Sequence, residues 1–592
     1  METTDVLIVG AGPSGLMCAL ALAKYNVRTM VVERREPGTL YGNADTIQPG
    51  TIEMLESFDL RDKFMEHSRP VFAYAAYSAD DETGLLVRQP QGPNVVVSDA
   101  RYPYELGISI ERIETILRDA AVGYGTKIEQ PWMPTMLVVH PDTAPDSYPI
   151  EVTIARSTRH YSPGASPGSS PGGPEIPSEK RTVRAKYVIG CDGAHSWVRD
   201  AVGLHMEKAE RDEQAVNWGV TTFTPDTDFP DTMVKAVIAT PVCGMISWMP
   251  RPDGKGRLYV PLSSSFDSRS CTKEVFLEAI QSVLDDAFKP YKMKIAECHS
   301  LSAYKVVQSV AQHFQVYNRV FLAGDSAYTH SAKTGQGANA AMKDAYNLSW
   351  KLAFVLRGWA KSKLLDTYED ERRAYAKDLI ALDQEIAQAI ERGGHSTRYR
   401  RMWDEKNRFI TGVGIVYHSS LTPEIQSSAL ASRLTPGERL PPAVILRLAD
   451  WRPWNIHDIL VSDCTFKLML FPGEIRSSQD KVAAFADILQ DLLGNRQELV
   501  KISAVFLDLK VWSHWTDVAP CIRDPLIIFV DDAGSTPYDG STMDASPSNA
   551  YKVYGIAPEG CGLLLRPDSH VSLVFPISKI GANAVADFLN GL

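Results

Sequence analysis

Three glycines near the start of the chain, Gly10, Gly12 and Gly15, have a spacing that lets a backbone approach two phosphate groups. An apolar run over residues 5–9 precedes them and an apolar helical run over residues 16–24 follows, so they form a strand–turn–helix unit. In such a unit the first glycine permits the sharp turn, the second admits a pyrophosphate and the third lets the helix pack on the strand. The helix N-terminus then faces the phosphates, and the pattern predicts a dinucleotide-binding site.

An acidic residue follows at the separation that suits a ribose contact. Glu33 closes the next apolar run, residues 29–32, where a carboxylate can bond a ribose hydroxyl. We include Arg34, in the charged turn after Glu33, and Arg112, in a helix predicted over residues 110–122, among the cofactor-binding candidates.

Two later stretches can complete the same site. An apolar strand over residues 185–190 ends near Asp192, and a strand over residues 319–323 ends near Asp325, which can accept a ribitol or ribose hydroxyl. A glycine-rich loop then opens a long helix whose N-terminus can stabilise negative charge on a ring system. The candidates from these two stretches are Asp192, Gly324, Asp325, Gly335, Gln336, Gly337, Ala338 and Asn339.

Asp45 lies shortly before a helix predicted over residues 51–58. A carboxylate in such a turn can face a cavity and draw a proton from a bound ligand. An Asp just ahead of a helix is also a common N-cap or turn residue, and the sequence alone leaves that alternative open.

The composition excludes several classes of partner. A formal net charge of −11 over 592 residues, with no basic stripe, disfavours nucleic acid and anionic membranes. The eight cysteines are single, without CxxC pairs or Cys/His clusters, so we expect reduced thiols and no bound metal. The first strand begins at Asp5 and no apolar run reaches membrane-spanning length, so we expect no signal peptide and a cytoplasmic location.

The order of these elements predicts interleaved domains. A β-rich unit, with little helix, is inserted between cofactor-binding pieces. The Pro-, Gly- and Ser-rich stretch over residues 157–181 cannot bury a core, and we expect a surface loop that could serve as a lid. The predicted boundaries are 1–73, 102–200 and 308–400 for the cofactor-binding domain, 74–101 and 201–307 for a β-rich substrate-binding domain, 401–435 for a helical linker and 436–592 for a small α/β domain.

Together these elements resemble the FAD-dependent aromatic hydroxylases, the single-component flavoprotein monooxygenases that include p-hydroxybenzoate and phenol hydroxylase. The phenol 2-monooxygenase branch is the more similar, through the motifs at residues 42–45, 330–331 and 346–352. Residues 566–568 and the strand before them resemble the thioredoxin-like domain of that branch. The resemblance implies an α/β fold, with a Rossmann-type FAD-binding domain, an inserted β-sheet substrate domain as in p-hydroxybenzoate hydroxylase, and a C-terminal thioredoxin-like α/β domain.

The resemblance also implies an activity. Such an enzyme would bind FAD, receive electrons from NADPH or NADH as a transient reductant, and hydroxylate a phenolic aromatic substrate with molecular oxygen through a flavin C4a-hydroperoxide. The catalytic positions of the branch fall on Asp45, Arg251 and Tyr259, although a surface hairpin alone would also explain the Arg and the Tyr. A homodimer is expected, and the C-terminal domain, which lacks paired cysteines, should be structural or dimer-forming.

Three positions depart from the family pattern. Ala332 stands where Pro is usual, Tyr328 where His is frequent and Ile110 where Gln is common. The Pro helps to shape the oxygen-reaction site in the family, so its replacement slightly favours other uses of the same peroxide. These alternatives are Baeyer–Villiger oxidation, epoxidation or hydroxylative dearomatisation of an aromatic or polyketide substrate. An alternative of another class is a flavin-switched protein-interaction module.

Overall fold

The computed structural model describes residues 2–38, 44–80, 82–140, 147–157, 179–208, 217–262, 266, 271–305, 308–331, 335–391, 397–423, 429–532 and 549–592. Within these residues the strands, in chain order, are β1 (Glu2–Val9), β2 (Thr29–Val32), β3 (Thr46–Ile47), β4 (Arg69–Val71), β5 (Ala73–Ala79), β6 (Leu86–Arg88), β7 (Gly92–Pro93), β8 (Glu105–Gly107), β9 (Lys127–Glu129), β10 (Trp132–Val139), β11 (Ile150–Arg156), β12 (Lys180–Gly190), β13 (Met206–Lys208), β14 (Asn217–Thr227), β15 (Lys235–Thr240), β16 (Gly244–Pro250), β17 (Gly256–Leu262), β18 (Met293–Lys305), β19 (Ser309–Ala311), β20 (Gln315–Val316), β21 (Val320–Leu322), β22 (Tyr328–Thr329), β23 (Val444–Arg447), β24 (Pro453–Asn455), β25 (Phe466–Phe471), β26 (Val500–Leu507), β27 (Ile528–Asp531), β28 (Cys561–Leu565) and β29 (Val571–Phe575). The α-helices are α1 (Pro13–Lys24), α2 (Pro49–Ser57), α3 (Arg61–Glu66), α4 (Ile110–Gly123), α5 (Trp197–Ala201), α6 (Lys273–Ala287), α7 (Gly337–Leu356), α8 (Asp366–Glu391), α9 (Thr397–Ile410), α10 (Ile475–Leu493), α11 (Ala550–Tyr554) and α12 (Lys579–Gly591).

The first sheet, called the nucleotide-binding sheet here, is organised around β1. Residues 6–9 of β1 lie parallel to residues 187–190 of β12 on one side and to β2 on the other. The side chains of Val6, Leu7 and Ile8 are fully buried, because a central parallel strand is covered on both faces. The order continues through β11 and β10 at one edge and through β9 at the other, and β21 also pairs with β12. Helix α1 packs against α4 and α7.

A second sheet, the β-rich sheet, is mostly antiparallel and has the order β18-β14-β17-β16-β15-β5-β6. It combines two separated parts of the chain, since β5 pairs in parallel with β15. Its apolar side chains form a core with α6, in which Phe223, Trp248 and Leu258 are buried. Strands β16 and β17 form a hairpin whose turn contains Asp253 and Gly254 in the left-handed region.

The C-terminal domain, which carries β23–β29 and α10–α12, contains a third sheet with the order β24-β23-β27-β26-β25-β28-β29. Strands β25, β26 and β27 are parallel, whereas β28 and β29 are antiparallel to their neighbours. Alternate residues of β25 are buried on opposite faces. Phe466, Leu468 and Leu470 share a core with α10 and α12, while Met469 and Phe471 belong to a second cluster.

Buried charged residues join the C-terminal domain to α7 and α8. Arg566 lies 2.6 Å from Glu371 of α8 and 2.6 Å from Asp568, and these groups are buried. Lys351 of α7 donates to the same Glu371 carboxylate at 2.8 Å. Burial by itself raises the pKa of Glu371, but Arg566 and Lys351 outweigh it and lower the pKa to about 2. A shared, charged carboxylate therefore connects the two parts of the molecule.

These sheets confirm the predicted α/β fold class, with a Rossmann-type nucleotide-binding sheet, an inserted β-sheet and a C-terminal α/β domain. The proposed lid over residues 157–181 falls almost entirely outside the described residues. Among the helices in the described part of the chain, none is long and apolar enough to cross a membrane.

Candidate functional site

The turn between β1 and α1 has the shape of a phosphate-binding loop. Gly10 has a φ of 103°, and a Cβ there would lie 2.3 Å from the carbonyl oxygen of Cys191, so only glycine fits. A Cβ on Gly15 would lie 1.9 Å from the carbonyl oxygen of Gly10, since α1 packs closely on the strand. None of the described residues has an atom within 4 Å of a Cβ built on Gly12, and no side chain caps α1. The open space and the uncapped N–H groups fit the pyrophosphate of FAD.

Glu33 is held charged and oriented by protein groups. Its Oε2 accepts from the backbone N–H of Ala11 at 2.7 Å, and its Oε1 accepts from the backbone N–H of Arg35 at 2.8 Å and from Nε at 3.0 Å. Burial raises the pKa of Glu33, but Arg35 and these hydrogen bonds outweigh it and lower the pKa. Arg34 is exposed, and its contact with the cofactor stays a prediction, whereas Arg35 contacts Glu33. The sequence alone did not indicate Arg35, because a pair of adjacent arginines does not show which side chain faces inward.

The aspartates at the two strand ends differ in their hydrogen bonding. Asp192 accepts from Ser196 Oγ at 2.5 Å and from the backbone N–H of Val198 at 3.0 Å. Both of its carboxylate oxygens therefore accept hydrogen bonds at the N-terminus of α5. Asp325 receives no hydrogen bond from the described residues. Solvent reaches its side chain, yet the protein around it partly desolvates the carboxylate and raises its pKa. The carboxylate oxygens of Asp325 are therefore acceptors that suit a ribitol hydroxyl. Arg112 is exposed in the first turn of α4, and its contact with the cofactor stays a prediction.

The loop before α7 packs directly on the segment that follows Asp45. A Cβ on Gly335, where φ is 64°, would lie 2.8 Å from Thr46 Oγ1. Asn339 accepts from the backbone N–H of Gln48 at 2.8 Å and donates to the carbonyl oxygens of Thr46 at 2.9 Å and Gly335 at 2.8 Å. The side-chain amide of Asn339 is therefore hydrogen-bonded to protein groups and positions the segment after Asp45. A contact of Asn339 with the cofactor would have to come from its backbone.

The neighbouring residues of this loop have different environments. Gln336 is buried and donates its amide hydrogen to the carbonyl oxygen of Ile410. Among the described residues, no atom would lie within 4 Å of a Cβ on Gly337, and α7, which continues with Ala338, has no side-chain cap. The uncapped N–H groups at the N-terminus of α7 therefore suit a ring system that carries negative charge.

Asp45, Arg251 and Tyr259 meet in the structure, and we refer to them as the Asp45 cluster. The Tyr259 hydroxyl donates to Asp45 Oδ2, and Arg251 Nη1 donates to the carbonyl oxygen of Asp45 at 2.8 Å. Arg251 Nη2 lies 3.9 Å from Asp45 Oδ2, an ion pair without a hydrogen bond. The cluster thus combines a carboxylate, a phenol and a guanidinium, and 8% of Asp45 is exposed.

Two short pieces of structure bring the Asp45 cluster together. The hairpin of β16 and β17 carries Arg251 at its turn and Tyr259 on its second strand. Strand β3, which follows Asp45, pairs with β8. A Cβ on Gly107 of β8 would lie 2.6 Å from the carbonyl oxygen of Pro250, so β8 lies directly against the hairpin. The cluster is therefore located at the boundary between the β-rich sheet and the nucleotide-binding part of the chain.

Arg251 has N–H groups available for a ligand. Only 5% of the residue is exposed, and burial lowers its pKa, with Asp45 opposing and Arg257 adding to the effect. Its Nε and Nη2 have no hydrogen-bond partner among the described residues. Buried N–H groups without a partner cost free energy, so an anionic oxygen of a ligand would be stabilised there.

The helix-cap interpretation of Asp45 is wrong. Helix α2 begins at Pro49, its N-cap residue is Gln48, and no side chain caps it. The Asp45 carboxylate lies upstream and bonds Tyr259 instead. The surface-hairpin alternative is also wrong for Arg251, because that residue is buried.

The three residues that depart from the family pattern differ in how the structure describes their surroundings. Tyr328 is buried and donates to Asp344 Oδ2 at 3.0 Å, the same oxygen that accepts the N–H of Gly324 at 3.0 Å. Tyr328 thereby supports the turn after β21, where φ of Gly324 is 66°. Ile110 is buried at the start of α4, and Ala332 lies outside the described residues.

Most of the chain matches two known protein families. Residues 3–133 and 175–383 match the FAD binding domain, and residues 415–592 match the phenol hydroxylase C-terminal dimerisation domain. The phenol 2-monooxygenase fsqG of Aspergillus fumigatus is 30% identical, and the alignment covers 100% of this chain and 96% of that protein. The 3-hydroxybenzoate 4-monooxygenase of Comamonas testosteroni is 30% identical, with 98% of this chain and 93% of that protein covered.

Solved structures share the fold. The flavin-dependent monooxygenase PieE, in complex with FAD and substrate, has a TM-score of 0.70 at 18% identity, with 100% of this chain and 99% of that chain covered. Aklavinone-11 hydroxylase, in complex with FAD and aklavinone, has a TM-score of 0.70 at 22% identity and the same coverage. From the matched families and relatives it follows that the chain belongs to the FAD-dependent aromatic hydroxylases, as an FAD-dependent monooxygenase of the branch with a phenol hydroxylase C-terminal dimerisation domain.

Proposed function

We propose that this enzyme hydroxylates a phenolic ring with FAD, molecular oxygen and electrons from NADPH or NADH. The observation that carries the proposal is the convergence of Tyr259 and Arg251 on Asp45 at the boundary between the β-rich sheet and the nucleotide-binding part of the chain. In the overall balance the ring gains one oxygen atom of O₂ in place of a hydrogen. The second oxygen atom leaves as water, and NAD(P)H supplies the two electrons.

The chain supplies a binding site of matching chemistry for the cofactor. The α1 N-terminus with Gly12 would hold the pyrophosphate, Glu33 a ribose hydroxyl, Asp325 the ribitol, and the α7 N-terminus the ring system. FAD, when bound, supplies the redox chemistry that connects NAD(P)H to O₂. The protein residues would bind and orient the cofactor and the substrate, and they would exclude water from the site.

Within the Asp45 cluster each group has a separate role. A carboxylate oxygen accepts more than one hydrogen bond, so a substrate hydroxyl can donate to Asp45 beside Tyr259. Asp45 would take the phenolic proton as general base, which makes the ring more electron-rich. Nε and Nη2 of Arg251, which have no hydrogen-bond partner among the described residues, would then donate to the phenolate oxygen.

The names of the relatives support a phenolic substrate. Two relatives aligned over nearly the whole chain are a phenol 2-monooxygenase and a 3-hydroxybenzoate 4-monooxygenase. The matched C-terminal family is described as a dimerisation domain, which supports the expected homodimer.

The test is a screen of phenols, hydroxybenzoates and polyketide-derived aromatics with FAD-loaded enzyme, NADPH or NADH, and ¹⁸O₂. We expect substrate-stimulated NAD(P)H oxidation and a product that gains one labelled oxygen atom and keeps its aromatic ring. Asp45→Asn should lose most product, whereas Asp62→Asn, at an exposed carboxylate, should behave as wild type. A ring-expanded, epoxidised or dearomatised product in the NMR spectrum would contradict hydroxylation and support the other oxygen-transfer reactions.

A further inference from the structure

A second cavity lies between the C-terminal domain and helices α2 and α7. Its volume is about 70 Å³, and its wall contains no member of the Asp45 cluster. One side is formed by residues of α2 and α7, and the other by residues around 439–460 and 568–570 of the C-terminal part of the chain. The polar lining residues that matter for its chemistry are Glu53, Lys343, Asn347, Arg439, His457 and His570.

Lys343 presents a cation to this cavity. Its Nζ donates to the carbonyl oxygen of Gly412 at 2.5 Å, and the described residues place no carboxylate within ion-pair distance of it. The acidic lining residue Glu53 is instead paired with Arg439 at 3.0 Å. An ammonium group has three donors, so two N–H bonds of Lys343 remain for a ligand.

Asn347 presents an acceptor on the same helix. Only 1% of the residue is exposed, and its Nδ2 donates to Glu371 at 2.7 Å. Its Oδ1 has no hydrogen-bond partner in the part of the chain that the structure describes. Residues four positions apart share one helix face, so Lys343 and Asn347 line the same wall. A buried acceptor without a donor costs free energy, and a ligand hydroxyl would satisfy it.

We propose that this cavity binds a small 2-hydroxy carboxylate, whose carboxylate pairs with Lys343 and whose hydroxyl donates to Asn347 Oδ1. Such a ligand satisfies both groups at once. A simple inorganic anion such as chloride would leave Asn347 without a donor, and a neutral alcohol would leave Lys343 without a counter-ion.

The charge on Lys343 makes the binding depend on pH. Burial lowers the pKa of Lys343 to about 7, with Arg372 and Arg439 adding to the effect and Glu53 opposing it. The titratable and charged groups around the cavity are Glu53 from α2, Tyr346 from α7, Arg372 from α8, and Tyr417, Arg439, His457, Asp568 and His570 from the facing segments. His457 stays neutral because burial lowers its pKa to about 4. A carboxylate binds the ammonium form, so binding takes up protons and weakens as the pH rises above 7.

The experiment is calorimetric titration of the FAD-loaded enzyme with sodium glycolate. We expect millimolar binding at pH 6 that is about tenfold weaker at pH 8, because about a tenth of the Lys343 side chains are then protonated. Acetate, which lacks the hydroxyl, and ethylene glycol, which lacks the charge, should each bind at least about tenfold more weakly than glycolate.

Two lysine variants give matched comparisons. Lys343→Met should abolish glycolate binding. Lys481→Met should keep it, because Nζ of Lys481 also donates to carbonyl oxygens, of Pro472 and Glu559 at 2.8 Å each, but lies outside the cavity. Arg251→Ala should also keep it, which separates this site from the Asp45 cluster.

The proposal is overturned if glycolate does not bind at pH 6, if Lys343→Met binds it as wild type does, or if acetate binds equally well. Should Lys343→Met fail to fold, Lys343→Arg provides the decision, because arginine stays charged over this pH range. That variant should bind glycolate with equal affinity at pH 6 and pH 8. If the arginine variant lost glycolate affinity tenfold between pH 6 and pH 8, as wild type should, that result would contradict the assigned role of Lys343.

Discussion

The Tyr259 hydroxyl donates a hydrogen bond to the Asp45 carboxylate, although 214 positions of sequence separate the two residues. Arg251 binds the backbone of the same aspartate from the turn of the hairpin that carries Tyr259. Because the contacts reach different atoms of Asp45, substitutions can separate the carboxylate, the hydroxyl and the guanidinium.

Replacement of Asp45 by Asn should separate oxygen transfer from cofactor binding. Asparagine keeps the volume and much of the hydrogen bonding but cannot take a proton. General-base assistance contributes about 10²- to 10⁴-fold, so product formation should fall by that factor. FAD titration should show unchanged affinity, while uncoupled peroxide release should rise. Product formation at the wild-type rate would show that Asp45 is not the base.

Tyr259→Phe should have a milder effect than Asp45→Asn. The substitution removes one hydrogen bond to the Asp45 carboxylate and keeps the ring, so product formation should fall about tenfold. The loss of product formation in Arg251→Ala should lie between those of the other two variants, because the substitution removes the donors to a phenolate oxygen. Steady-state rates and the ratio of product to NAD(P)H consumed provide the measurement. Tyr291→Phe, in the segment between α6 and β18, is the control, and an equal loss in that variant would argue against a specific role for Tyr259.

Gly12→Ala should fold and fail to bind FAD tightly. A Cβ at Gly12 meets no atom of the described part of the chain within 4 Å, so it would occupy the space assigned to the pyrophosphate. Gly10→Ala should instead destabilise the apoprotein, because its Cβ would lie 2.3 Å from the carbonyl oxygen of Cys191. Thermal unfolding of the apoproteins and flavin fluorescence titration distinguish the two effects. Normal FAD affinity in Gly12→Ala would place the pyrophosphate elsewhere.

Acid should weaken the connection between the C-terminal domain and α8. Because the folded-state pKa of Glu371 is lowered from 4.5 to about 2, its stabilising contribution is complete above about pH 4.5. It is lost as the pH falls toward about 2, and a depression of this size corresponds to about 3 kcal/mol. Thermal unfolding measured at descending pH should therefore show a steep fall in Tm in this window. Glu371→Gln should be less stable at neutral pH and should show a shallower fall. Equal slopes in the two proteins would contradict this role of Glu371.

The sequence by itself determined the nucleotide-binding unit and the fold class. Gly10, Gly12 and Gly15 act through backbone geometry and close packing within a single strand–turn–helix unit, so their spacing is sufficient to indicate their roles. The ends of β12 and β21 were also predictable, because apolar runs that stop at an Asp mark the carboxyl edge of a parallel sheet. The Asp45 cluster came from family resemblance, since local patterns do not relate residues that are hundreds of positions apart.

Only the tertiary structure decided what these side chains contact. It placed Arg35 on Glu33, and it committed the Asn339 amide to protein groups. It also placed Lys343 and Asn347 on the wall of a cavity that forms only where the C-terminal domain meets α7. The physical reason is that hydrogen-bond partners and burial depend on which distant strands and helices pack together. Sequence periodicity reports the inward face of an element, whereas the partner that it meets there is set by the pairing of sheets across the whole chain.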